Sequence, residues 1–167
     1  MVIEGKWCGI SKLTKIIGNE DLFNKSIELQ DAIEELYSKV EDEKINGIQW
    51  AVWDMSVNIL SAYYRIKSDL SLIFECWNIN KDILNKIVLQ AIKVFILELI
   101  EKMSKDTLLC IPCQLHLFCE NCNFAKQYYR CMNENSLYQS FRRTLRLVRR
   151  IERTKLIKNL MVMKNEW

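Results

Sequence analysis

Residues 81–104 read KDILNKIVLQAIKVFILELIEKMS, and this stretch decides the fold class. Ile83, Leu84, Ile87, Val88, Ala91, Ile92, Phe95, Ile96, Leu99, Ile100 and Met103 recur at helical spacing and cover well over half of the resulting surface. The spacing predicts a helix over 81–104. Asn85, Lys86, Gln90, Lys93 and Glu98 interrupt the apolar run, so it falls short of the ~18–20 continuous apolar residues of a membrane span.

The segments before it carry the same period. Asn19 is placed to cap a helix over 20–42, with Glu20 and Asp21 in its first turn and Phe23, Ile27, Ala32, Ile33, Leu36, Tyr37 and Val40 turned inward. Leu13, Ile16 and Ile17 form a short helix closed by Gly18. Over 48–67 two apolar stripes run side by side, which predicts a central helix buried on most sides. Asp54 within it reads as a carboxylate emerging at a groove or pairing with Arg65, in preference to a catalytic acid. A short helix is expected over 69–77. One proline and four glycines in 167 residues leave few tight turns, which favours helices over a many-stranded sheet. The expected fold is all-α: a multi-helix bundle with a short Cys-rich, zinc-knuckle-like loop and a long basic C-terminal helix.

The Cys-rich stretch follows the 81–104 helix. Residues 110–131 read CIPCQLHLFCENCNFAKQYYRC and hold five of the seven cysteines. Cys110/Cys113 and Cys119/Cys122 are two CxxC pairs five residues apart, and four thiolates of this kind complete a closed tetrahedral zinc site. His116 and Cys131 compete for a place among the ligands. An iron–sulfur cluster is the alternative, set lower because the spacing matches neither common ferredoxin run. Reduced, unligated core cysteines are the plain reading against both. Pro112 disfavours helix at the first pair, and a short helix is expected over 123–132.

Ser136 and Gln139 fit a capping box that opens the last helix, expected to run to about 163. Its apolar line is Leu137, Phe141, Leu145, Val148, Leu156, Leu160 and Met163, broken by Glu152. Arg142, Arg146, Arg149, Arg150 and Arg153 make a stripe expected to lie opposite that line, widened by Arg143, Lys155 and Lys158. Guanidinium forks suit phosphate, so these eight residues are the expected nucleic-acid contacts, with Tyr128, Tyr129 and Tyr138 as base-stacking candidates. The competing reading pairs the arginines with acids of the body such as Glu34, Glu35, Glu41, Asp42 and Glu43. A membrane-surface helix is a third reading, opposed by Glu152 and Lys155 in the apolar line.

Residues 142–167 carry nine Lys/Arg against two Glu, whereas 1–141 carry fifteen against nineteen Asp/Glu. The chain divides into an acidic helical body (1–109), a Cys-rich metal-binding segment (110–131) and a basic C-terminal helix (132–167), expected to pack as one domain. No Gly-rich phosphate loop, G-x-S-x-G or H-E-x-x-H is present, and one histidine leaves little for His-based catalysis. The sequence therefore reads as non-enzymatic. No signal peptide is visible, and the clustered cysteines fit a reducing intracellular compartment. The expected function is a zinc-stabilised regulatory protein that binds DNA or RNA through its last helix. The alternative is a protein-interaction module, an inhibitor or adaptor encoded by a virus or mobile element, whose basic helix docks on an acidic protein surface.

Overall fold

The computed structural model describes residues 9–37, 54–69, 81–105 and 133–165. Outside the turns at 18–19 and 133–136, every described residue is helical, with no strand among them. The helices are α1 (Gly9–Ile17), α2 (Glu20–Tyr37), α3 (residues 54–69), α4 (Lys81–Lys105) and α5 (Leu137–Asn165). The all-α bundle expected from periodicity is the architecture found. The Cys-rich loop (Cys110, Cys113, His116, Cys119, Cys122, Cys131), residues 70–77 of the helix expected over 69–77, the helix expected over 123–132, and Tyr128 and Tyr129 lie outside the described residues, and Asp69 continues α3.

The chain reverses between α1 and α2 at Gly18, whose φ of 76° is left-handed. A residue bearing a Cβ is strained there, and glycine is not. Asn19 caps α2 as expected: its Oδ1 accepts from Leu22 N–H at 2.9 Å. The two helices are stitched by polar groups. Thr14 Oγ1 and Ser26 Oγ are 2.9 Å apart. Gln30 Oε1 accepts from Ser11 N–H at 2.8 Å, so the α2 side chain serves a donor in the first turn of α1. The inward face of α2 is the expected one at Ala32 and Ile33 and differs from it in the first turns. Leu22, Ser26, Leu29, Gln30 and Ile33 are buried, whereas Phe23 and Ile27 are only half-buried.

The longest contact joins α4 to α5, which run antiparallel over ~37 and ~43 Å at 1.5 Å per residue. Successive rungs define the register. Tyr138 O–H donates to Ser104 O, Glu101 meets Arg142 and Arg146, Glu98 meets Arg149 and Arg153, Gln90 meets Glu152, and Met163 packs beside Leu84. Ser136 Oγ accepts from Gln139 N–H at 3.0 Å, so the predicted cap does open α5.

The main core lies at the Tyr138 end of this pair. Phe141, Leu145 and Val148 of α5 meet Ile96, Leu97 and Ile100 of α4, Leu13 and Ile17 of α1, and Leu22, Leu29 and Ile33 of α2. Each such side chain contributes about 1.5–3 kcal/mol by leaving water. Among the described residues the other end of the pair holds a small cluster of Leu84, Val88 and Met163.

α3 is not the central helix its two stripes predicted. Among its described residues only Ser56 is fully buried, and Met55, Ile59, Leu60 and Tyr63 lean against the core half-buried. Ile66 of the stripe expected to hold Met55 and Ile59, and Tyr64 of the stripe expected to hold Val57 and Leu60, face water, as does Asp54. No described helix is long and apolar enough to cross a membrane.

Candidate functional site

α5 presents three longitudinal faces, set by the ~100° advance per residue. The first is the core line. It holds Phe141, Leu145 and Val148 as expected, and it also holds Glu152, only 8 % exposed. The break in the apolar pattern is thus a buried carboxylate with partners: Gln90 Nε2 donates to it at 3.4 Å, and Lys155 Nζ lies 3.4 Å away. Gln90 in turn accepts from Asn159. Toward the C-terminus the line loosens, and Leu160 reaches solvent.

The second face carries Arg142, Arg146, Arg149 and Arg153. These four lie about a quarter-turn from the core line, not opposite it as expected. That places them against α4. Glu101 Oε1 is 3.7 Å from Arg142 Nη2 and 3.5 Å from Arg146 Nε. Glu98 takes Arg149 at 3.5 Å and also Arg153. Among the described residues the acids that meet the arginines are therefore Glu98 and Glu101 and not Glu34 or Glu35 of α2; Glu41, Asp42 and Glu43 of the expected group lie outside the described residues. Glu101 and Arg142 are largely shielded from water, with side-chain exposures of 4 % and 12 %. Glu101 Oε2 and Arg142 Nε are buried without hydrogen-bond partners. Arg146 and Arg153, about half exposed, keep part of their charge toward solvent.

The third face is turned outward. It carries Arg143, Arg150, Lys155 and Lys158 from the expected nucleic-acid set, joined by Lys164. Arg143 Nη1 donates to Glu134 O at 2.8 Å, and no carboxylate of a described residue pairs with Arg150 or Lys158. Between these cations stand Leu147, Ile151, Ile157, Met161 and Val162, all exposed. The sequence reading missed this aliphatic set because it sought one apolar stripe and one charged stripe. The only acid of α5, Glu152, is on the buried face, so the outward surface has no exposed acid. Tyr138, expected to stack on bases, is 4 % exposed and bonded to α4, so its ring is withdrawn from any ligand.

A second feature lies between α3 and α4: an open groove of about 580 Å³ whose lining includes Met55, Ala62, Tyr63, Ala91, Ile92 and Phe95, with Asn58 contributing the one amide. Among the described residues no carboxylate, histidine, cysteine or cation lines it. Among the described residues no group of three or more His, Cys, Asp or Glu is placed to hold a metal ion. The four expected zinc ligands fall within the undescribed connection that joins Lys105 to Asn133.

No protein-family model, no curated protein and no solved structure matches this chain.

Proposed function

We propose that this protein is a non-enzymatic interaction module, an inhibitor or adaptor, whose last helix docks on an acidic surface of a partner protein. The observation that supports this is the composition of the outward face of α5: cations and exposed aliphatic side chains intermixed, without an exposed acid. Apolar side chains left in water between charges gain most from a partner that covers both. Binding to DNA or RNA through Arg142, Arg143, Arg146, Arg149, Arg150, Arg153, Lys155 and Lys158 is the second reading. It is favoured by the excess positive charge. It is set lower because Glu98 and Glu101 already engage four of the arginines, and the exposed apolar residues are aliphatic whereas bases stack on aromatic rings.

We further propose that Cys110, Cys113, Cys119 and Cys122 hold one zinc ion in a closed structural site, an iron–sulfur cluster being the alternative. Support comes from the neighbouring helices. The Tyr138–Ser104 bond brings the start of α5 beside the end of α4, so the connection between them closes a loop that a metal clip would stabilise.

Fluorescence titrations at several salt concentrations test the docking reading. The probes are poly-L-glutamate, duplex DNA and single-stranded RNA. Salt-sensitive binding to the polypeptide, with weaker binding to both nucleic acids, is the expected result. Preference for either nucleic acid reverses the ranking, and binding to none of the three removes both readings.

A further inference from the structure

We propose that the partner surface met by α5 is itself an amphipathic helix, with an aliphatic seam flanked by Asp and Glu, lying along the outward face. This rests on the docking reading above and specifies the shape of the partner. Leu147, Ile151, Thr154, Lys158 and Met161 follow one another at steps of four, three, four and three residues, and all are exposed. That alternation is the 3.5-residue repeat by which two helices keep one seam in contact. The line lies about a third of a turn from Phe141, Leu145 and Val148, on the side away from the arginines that face α4, so α5 is buried along one side and carries an unused seam beside it. The exposures are large for aliphatic side chains: 54 % at Leu147, 42 % at Ile151 and 64 % at Met161.

The flanks specify charge. Arg143, Arg150, Ile157 and Lys164 recur every seven residues along one edge; Val148, Lys155 and Val162 do so along the other, where Val148 is buried in the core and Lys155, 58 % exposed, also meets Glu152. The charged flanking positions are thus all cationic. Flanking charges choose partners in paired helices, so the complementary helix carries acids at these positions. A second copy of this chain sets cation against cation in either direction and is disfavoured. Lys158 stands within the seam, where a single polar residue fixes register by pairing with one acid. The core holds α5 as far as Val148, and Gln90–Glu152, Gln90–Asn159 and the Leu84–Met163 contact hold it against α4 beyond that, so the surface is preformed and loses little freedom on docking.

The test uses the full-length protein and four probes. The first is a peptide about four heptads long, with Leu or Ile along its seam and Glu at both flanks. The second is the same composition in scrambled order. The third is a vesicle containing phosphatidylserine, and the fourth is duplex DNA. The patterned peptide is expected to bind about tenfold or more tighter than the scramble. Leu147→Asp and Met161→Asp should each remove that preference while leaving the thermal melt unchanged, and Leu147→Ser serves as a milder variant. Equal binding of both peptides overturns the helical seam and leaves acidic-protein docking standing. Preference for vesicles or DNA over both peptides overturns the seam and the docking reading together, as does binding to no probe. Self-association in sedimentation that Leu147→Asp abolishes assigns the face to a second copy and overturns the proposal.

Discussion

Glu101 of α4 sits 3.7 Å from Arg142 of α5, both shielded from water, and the same carboxylate oxygen lies 3.5 Å from the half-exposed Arg146. Removing the acid leaves a buried guanidinium without a counter-charge. Glu101→Ala should therefore destabilise the fold by about 3–5 kcal/mol in urea unfolding. Arg146→Ala should lower stability by less than about 1 kcal/mol, because its charge is half in water. Replacing Glu101 and Arg142 together with Leu and Met should recover part of the loss, and equal losses for the single and double variants would contradict this account.

The α1–α2 contact depends on Gln30 reaching the first turn of α1. Gln30→Leu leaves Ser11 N–H without its acceptor in a buried position, and a loss of about 1–3 kcal/mol is expected. Amide exchange provides a local check: the Ser11 amide should become markedly less protected, while those in the middle of α5 change only with global stability.

At Gly18 nothing lies within 4 Å of where a Cβ would project, so any effect of substitution comes from the left-handed backbone and not from crowding. Gly18→Ala should destabilise by about 1–2 kcal/mol, and Gly18→Asn by less, since asparagine tolerates that conformation. Next to it, Asn19→Ala should remove about 1 kcal/mol with the cap. Thermal melts of the three variants test the ordering.

Charge reversal separates the two arginine populations. Arg150→Glu and Lys158→Glu, on the outward face, should weaken binding to acidic polypeptides and flatten its salt dependence without moving the melting temperature. Arg149→Glu sets a second acid against Glu98, so it should lower the melting temperature. A set of variants that all act on binding alone would show that Arg149 is not held as described.

Metal analysis of protein purified without added metal should find one zinc per chain and no visible colour if the two CxxC pairs act as proposed. A strong chelator should then lower the melting temperature by several degrees, because the ion clips the connection between α4 and α5. A brown protein would move the assignment to an iron–sulfur cluster.

Helix existence was legible wherever the period was long and the ends were marked. Asn19, Gly18 and Ser136 stand where caps and turns were expected, since local backbone chemistry sets them. The standing of α3 was not legible. Two apolar stripes on one helix describe what it can bury, not how many neighbours it has, and Tyr64 and Ile66 remain in water. The break at Glu152 was visible as a pattern, but its resolution by Gln90, 62 positions away, was not.

Periodicity, capping residues and charge distribution determined by themselves that the chain is helical, where α2, α4 and α5 begin, and that α5 is basic. These properties depend on residues within a few positions of one another. The tertiary structure decided what the basic helix offers. The register of α4 against α5 sets Glu98 and Glu101 beside Arg142, Arg146, Arg149 and Arg153, and it turns Leu147, Ile151 and Met161 outward between the remaining cations. A helix has one sequence but several faces, and only the packing of distant segments selects which face is used up in the fold and which stays open to a partner.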